Sequence, residues 1–173
     1  MSQDPIGLQG GNPTLYGYVR DVNGELDEFG LACNKPGGYV DGDVDLHGNL
    51  SPNVNRARGN TNTKADSLIQ SHHPIQDAWA KRRINGYSRN RAPATLLPSA
   101  SGMSHANISA AQRMRRRQPG GWTTTLRDEF SIGYKEMIDS GVSPDQARKA
   151  FKDSYKYFDS LRGANQGNPF YNI

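Results

Sequence analysis

LIQSHHPIQDAW, residues 68–79, places two of the chain's four histidines, His72 and His73, side by side with a proline directly behind them. Neighbouring residues of a regular element point in different directions. The two imidazoles therefore suit a division of labour better than a shared task. Pro74 fits the first turn of a short helix, PIQDAWAKRR (74–83), which Asn85-Gly86 ends. A pair of this kind has two readings from the residues alone. One is local capping or hydrogen bonding beside a helix start. The other is chemistry, with one imidazole on a metal and the other a neutral general base near pH 7.

Phosphodiester hydrolysis needs both parts. A metal neutralises charge on the scissile phosphate and the leaving oxygen, and a base activates water for in-line attack. Asn90 and His105 are the downstream candidates for further ligands, because no carboxylate lies between them. A metal held by imidazole and amide alone keeps its full positive charge for the phosphate. His105 also reads as a surface residue just inside a helix. His47, in a glycine-rich acidic segment, is assigned no role.

The charge is divided along the chain. Residues 1–46 hold eight acidic and two basic side chains, although the whole chain carries a net charge of +4. Between Asp77 and Asp128 there is no acid. That window holds Lys81, Arg82, Arg83, Arg89, Arg91, Arg113, Arg115, Arg116, Arg117 and Arg127. A long stretch of one sign, dominated by planar guanidinium groups, is what a polyanion such as DNA calls for. It equally describes a solvated basic face or one side of a protein contact.

Composition sets the limits. With 34% apolar residues and a mean hydropathy of -0.80, the chain builds a modest core and leaves part of itself irregular. No run of about 18 apolar residues suggests a membrane span, and the first thirty residues lack the pattern of a secretory signal. A lone cysteine, Cys33, excludes an internal disulfide and a cysteine-based zinc site.

Residues 1–31 are dense in turn signals (Asp-Pro, Gly-Gly, Asn-Pro, Asn-Gly), with TLYGYV (14–19) a short strand candidate. DPIGL (4–8) recurs loosely as DEFGL (27–31). Residues 32–66 read as an irregular linker, with a hairpin around Val40–Leu46 and a flexible second half. The ordered body is expected from 67 onward. PATLLPS (93–99) is a proline-bounded strand, and SHANISAAQRMRRRQ (104–118) is a helix that places Arg113, Arg116 and Arg117 on one face. TLRDEFSIGYKEMIDSG carries Leu126, Phe130, Tyr134, Met137 and Ile138 on one stripe and stops at Gly141. SPDQARKAFKDSYKYFDSLRG opens with Ser143, Pro144 and Gln146 in capping-box order. Its inner face is Ala147, Ala150, Phe151, Ser154, Tyr155, Phe158 and Leu161. The two stripes predict an αα-hairpin whose aromatics are core.

Two stretches resemble known families. SHHPIQDAWAK, continuing through NGYSRNRAPATLLPSASGMSHANISAAQ (from Ser71), resembles the Tox-SHH group of bacterial polymorphic toxins, nucleases of the HNH/endonuclease VII, or ββα-metal, superfamily. The resemblance implies an α+β fold, with a small ββα-metal core in 67–173 followed by the C-terminal helices. It implies His72 as metal ligand, His73 as general base, Asn90 as the middle asparagine and His105 as the downstream ligand. Members often carry two histidines three or four residues apart in the last helix. Here Ser101 and Ser109 flank His105 at that spacing, a ligand-poor site that favours Mg²⁺ with retained waters over Zn²⁺.

Residues 1–31 look like the end of the core domain of Rhs proteins, in which a β-shell encloses a toxin and releases it after a second DPxGL motif. By that similarity cleavage follows Leu31, although Glu28 stands where proline is usual.

The combined expectation is a metal-dependent DNA endonuclease toxin of interbacterial competition. It would be made in the bacterial cytoplasm and delivered by a type VI secretion system to the target cell's cytoplasm, with an immunity protein as its inhibitor. Lys81, Arg82, Arg83, Arg113, Arg115, Arg116 and Arg117 would grip phosphates. The alternatives are a non-catalytic nucleic-acid-binding module and a metal-independent ribonuclease toxin. A zinc deaminase is disfavoured because its signature is missing.

Overall fold

A computed structural model describes residues 35–61 and 68–173. The expected strand at 14–19, the two DPxGL-like motifs, the cleavage point after Leu31 and Cys33 lie outside the described residues. Three short strands form the sheet: β1 (Val44–Leu46), β2 (Ile69–His72) and β3 (Pro93–Pro98). The helices are α1 (His47–Leu50), α2 (Asp77–Arg83), α3 (Ser104–Arg117), α4 (Leu126–Asp139) and α5 (Pro144–Ser160). The fold is α+β, and β2, β3 and α3 come in that order, with α2 inserted between the two strands. None of the described helices is long and apolar enough to cross a membrane.

The strand order is β1-β3-β2, with both edge strands antiparallel to β3. Pro93 to Leu97 are all buried, as expected for a central strand covered on both faces. Ala94 and Leu96 pack with Tyr39, Leu50 and Ile69 on one side. Leu97 joins the larger core of Trp79, Ile108, Leu126, Met137, Ala147, Phe151 and Phe158 on the other. Thr95 faces the same helical layer and takes a hydrogen bond from Gln146 Nε2 at 2.9 Å. The side-chain period of two thus separates an N-terminal layer from a helical layer.

The register carries this division into β2. His72 pairs with Thr95, and Ser71 pairs with Leu96. Directly paired residues share a face, so His72 looks into the helical layer and Ser71 into the N-terminal one.

The two C-terminal helices form as their sequences dictate. Thr125 and Asp128 close a reciprocal capping box at the start of α4. Ser143 caps α5 with Pro144 in its first turn. Gln146 does not return to the cap; its amide ties α5 to Thr95 and Leu96. Phe130 meets Phe151 and Phe158 edge to face, so the helical hairpin holds its aromatics as core. Of the predicted inner face of α5, Tyr155 is exposed. Gly133 of α4 lies under the motif: a Cβ there would sit 2.7 Å from the Pro74 carbonyl oxygen.

Several expectations are corrected. The helix after the histidines starts at Asp77 rather than Pro74, and the residues before it form β2, which the sequence reading left unassigned. Residues 44–46 are a sheet edge rather than half of a local hairpin. Residues 35–61 are largely anchored rather than a linker. Tyr39, His47, Leu50 and Arg56 are buried, and the Arg56 guanidinium donates to the carbonyls of Leu50, Ile69 and Ser51.

Candidate active site

His72 ends β2 and His73 follows it, so the turn out of the sheet sends the two rings to opposite layers. His72 is buried against His105, in the first turn of α3, with ring centroids 5.4 Å apart and planes nearly perpendicular. Its Nε2 has no hydrogen-bond partner among the described residues. Burial, then the neighbouring imidazoles of His105 and His73, push the His72 pKa down to about 3. His105 is lowered by burial and by the charge of Arg113. Both rings are held neutral, the state in which imidazole coordinates a metal.

His73 faces the other way. Its Nε2 lies 3.1 Å from the Arg89 carbonyl oxygen. A carbonyl only accepts, so Nε2 carries the proton and Nδ1 is left as the basic nitrogen. Burial lowers the His73 pKa, while the Arg89 carbonyl and the Asp77 carboxylate oppose that shift. Asp77 is itself fixed by Lys81 and the Tyr87 hydroxyl.

The structure adds a histidine that the sequence reading left without a role. His47 opens α1, and its ring lies 4.4 Å from that of His73, centroid to centroid, with a 34° tilt. Its Nδ1 is 2.9 Å from the Ser71 hydroxyl. Burial and the neighbouring His73 bring its pKa down to about 4. A polar cleft of about 410 Å³ opens beside it, with Gln70, Ser71 and Arg89 in its lining. The available signal was positional: His47 follows one short strand as His73 follows another.

The other predicted residues are dispersed. Asn90 packs beside α1. Its carbonyl accepts the Gly48 N–H at 2.9 Å, and a Cβ on Gly48 would meet that oxygen at 3.1 Å. The Asn90 side chain is exposed. Arg113 and Arg117 are exposed on α3. Arg116 does not share their face: it is buried, and it is paired with Glu129, Gln76 and the Gly121 carbonyl. Arg115 is held by Glu129 at 2.8 Å and by Glu136 at 2.9 Å. These two arginines tie α3 to α4, because each meets carboxylates that lie beyond the acid-free window. Breaking such a buried pair costs about 3–5 kcal/mol. Arg82 stacks on Trp122, and Arg83 donates to the Trp122 carbonyl and stacks on Phe170.

Among the described residues no group of three or more His, Cys, Asp or Glu is placed to hold a metal. The pair His72 and His105 could supply two donors to a metal. Two neutral imidazoles, one with a buried nitrogen lacking a partner, fit a divalent ion that keeps water in the rest of its shell. They do not fit a closed four-ligand zinc cage.

Residues 66–159 match the family of HNH/Endo VII superfamily toxins with a SHH signature. The chain belongs to this family. The signature is Ser71-His72-His73, at the end of the edge strand β2, and the matched span includes the Tox-SHH core from β2 into α5. β1 and α1, which bring His47 to that core, precede it. Neither the curated proteins nor the solved structures searched gave a match.

Proposed function

We propose that the chain is a metal-dependent endonuclease that hydrolyses DNA phosphodiester bonds as an antibacterial toxin. The observation that carries this is the opposed environment of the two adjacent histidines. His72 joins His105 with a bare nitrogen, and His73 has its proton pinned on Nε2 by a carbonyl. A divalent ion on His72 and His105, with Mg²⁺ favoured, would offset the charge on the scissile phosphate and on the leaving oxygen.

The protein's own residues do the rest. His73 accepts a proton from water at Nδ1 as the water oxygen attacks phosphorus. The P–O bond opposite breaks, and the departing oxygen takes a proton from solvent. Asp77 stabilises the imidazolium formed at His73. Asn90, tied through its carbonyl to Gly48, would steady the loop that presents the Arg89 carbonyl. Arg113 beside His105 and Arg89 beside His73 would receive phosphates at the two halves, with Arg117, Arg82 and Lys81 extending the basic surface.

The same reading extends to biology. The toxin would leave its producer within an Rhs shell carried by a type VI secretion system and act in the cytoplasm of the recipient. The producer would be protected by an immunity protein, with acidic side chains suited to the basic surface.

Incubating plasmid with purified protein and Mg²⁺, with and without EDTA, alongside His73→Ala, tests the assignment. Cleavage that EDTA and His73→Ala both abolish is the expected result. Salt-sensitive DNA binding without cleavage would point to a binding module, and RNA cleavage in EDTA to a metal-independent ribonuclease.

A further inference from the structure

The hydrolytic reading uses both histidines of the Ser-His-His signature and leaves its serine idle. It also leaves His47 without a task, although that ring touches the proposed base. We propose that Ser71 and His47 form a positioning pair that holds the His73 ring in its working orientation. The consequence for catalysis rests on the nuclease reading; the contact itself does not.

Three observations converge. First, His73 is gripped on its edge by the Arg89 carbonyl at 3.1 Å and on its face by His47 at 4.4 Å between centroids. An edge contact alone leaves the ring free to rotate about that hydrogen bond; a second ring against its face removes that freedom. Second, His47 is itself fixed, because its Nδ1 lies 2.9 Å from Ser71 Oγ. Ser71 sits on the N-terminal face of β2, where its register with Leu96 puts it. The signature serine thus acts through space on a residue 24 positions upstream.

Third, the segment carrying His47 is anchored to the loop that grips His73. His47 N–H donates to the Ala92 carbonyl and Gly48 N–H to the Asn90 carbonyl, each at 2.9 Å. Both clamps on the base therefore belong to one hydrogen-bonded unit, and both rings are nearly sealed, His47 at 6% and His73 at 7% exposure. Partners that orient metal-ligating histidines are worth about 10-fold to 100-fold in activity, and an orienting contact on a histidine base is expected to act on a similar scale.

The test uses the full 173-residue chain, with steady-state cleavage of a DNA duplex in Mg²⁺ and nitrogen-15 NMR of the histidine side chains. His47→Ala should lower kcat about 10-fold to 100-fold with KM within about 2-fold, and the His73 ring signals should shift and broaden as the ring turns about its retained bond to the Arg89 carbonyl. Ser71→Ala should do the same more weakly, and Ser71→Thr, which restores a hydroxyl, should recover kcat. His47→Phe keeps a ring face and guards against loss of fold in the alanine variant; it should retain more kcat than His47→Ala. Unchanged kcat in both His47 variants would overturn the proposal. So would a raised KM at constant kcat, which would make His47 a substrate contact. If the parent protein cuts no nucleic acid, the nuclease reading fails, and the NMR arm decides the positioning claim. His73 ring shifts and line widths unaltered in His47→Ala would then sink it.

Discussion

His72 and His73 share a peptide bond and live in opposite surroundings. On the helical side, His72 and His105 meet edge to face, and the buried Nε2 of His72 has no partner among the described residues. On the N-terminal side, His73 is bonded to Arg89 and backed by His47, which is bonded to Ser71. Among the described residues, one pair is left incomplete and the other is finished. A buried polar atom without a partner costs about 1–3 kcal/mol, so a fold that keeps one has a use for it. A ring held at both edge and face has instead been made ready in advance, as a proton acceptor in a low-dielectric site must be.

The largest expected effect separates the two halves by function. His73→Ala should lower cleavage about 10²-fold to 10⁴-fold, the range for loss of a general base, while leaving Mn²⁺ affinity by calorimetry unchanged. His72→Ala and His105→Ala should both weaken Mn²⁺ binding as well as cleavage. If His73→Ala also weakens metal binding, the two halves are one site and the contrast is wrong.

The next effect concerns stability and runs in opposite directions. Replacing His72 with leucine removes an unsatisfied buried nitrogen and adds apolar surface. The thermal midpoint should rise by a few degrees for about 1 kcal/mol gained, in a protein without activity. The same change at His73 strips the Arg89 carbonyl of its donor and should lower the midpoint by a similar amount. Differential scanning calorimetry of the two variants decides this; equal signs would mean that His72 has a partner after all.

How much of this contrast was legible in the sequence depended on range. The helices α4 and α5 were legible because their signals are local: Ser143 with Pro144, and the Leu126–Phe130–Met137 stripe. β3 was legible as an apolar run between prolines. β2 was not, since a four-residue edge strand ending in two histidines has no clear alternation. His47 was invisible for a similar reason, because its meeting with His73 is made by a sheet register that residues far apart in the chain decide together. The basic window misled in a related way. Arg115 and Arg116 look like Arg113 and Arg117 in the sequence, and their partners Glu129 and Glu136 lie outside the window. Charge counting sees which residues are ionised and not which of them already face a carboxylate.

A third variant sharpens the contrast by completing what the chain left open. Residue 109 lies one helical turn beyond His105 on α3, on the same face. Ser109→His should add a third imidazole to the His72–His105 side and tighten Zn²⁺ binding about 10-fold or more, measured by competition with a chromogenic chelator. No change would mean that the His105 face of α3 is not directed at the bare nitrogen of His72.

The smallest effect is on pH dependence, and its sign follows from burial. The His47 pKa in the folded protein is about 4 and that of His72 about 3, both below the ordinary value of 6.5. As pH falls below 6.5, the unfolded chain takes up these protons before the folded one does. Stability is therefore fully present above about pH 6.5 and is lost as pH drops toward the folded values. One unit below 6.5 costs about 1 kcal/mol for each such histidine. His47→Phe removes one contribution and keeps the ring volume. Its thermal midpoint should consequently fall less than the parent's between pH 7 and pH 5.5. A parent curve that is flat over that range would mean that His47 takes its proton at an ordinary pH. The packing of its ring against His73 would then be looser than the 4.4 Å centroid separation describes.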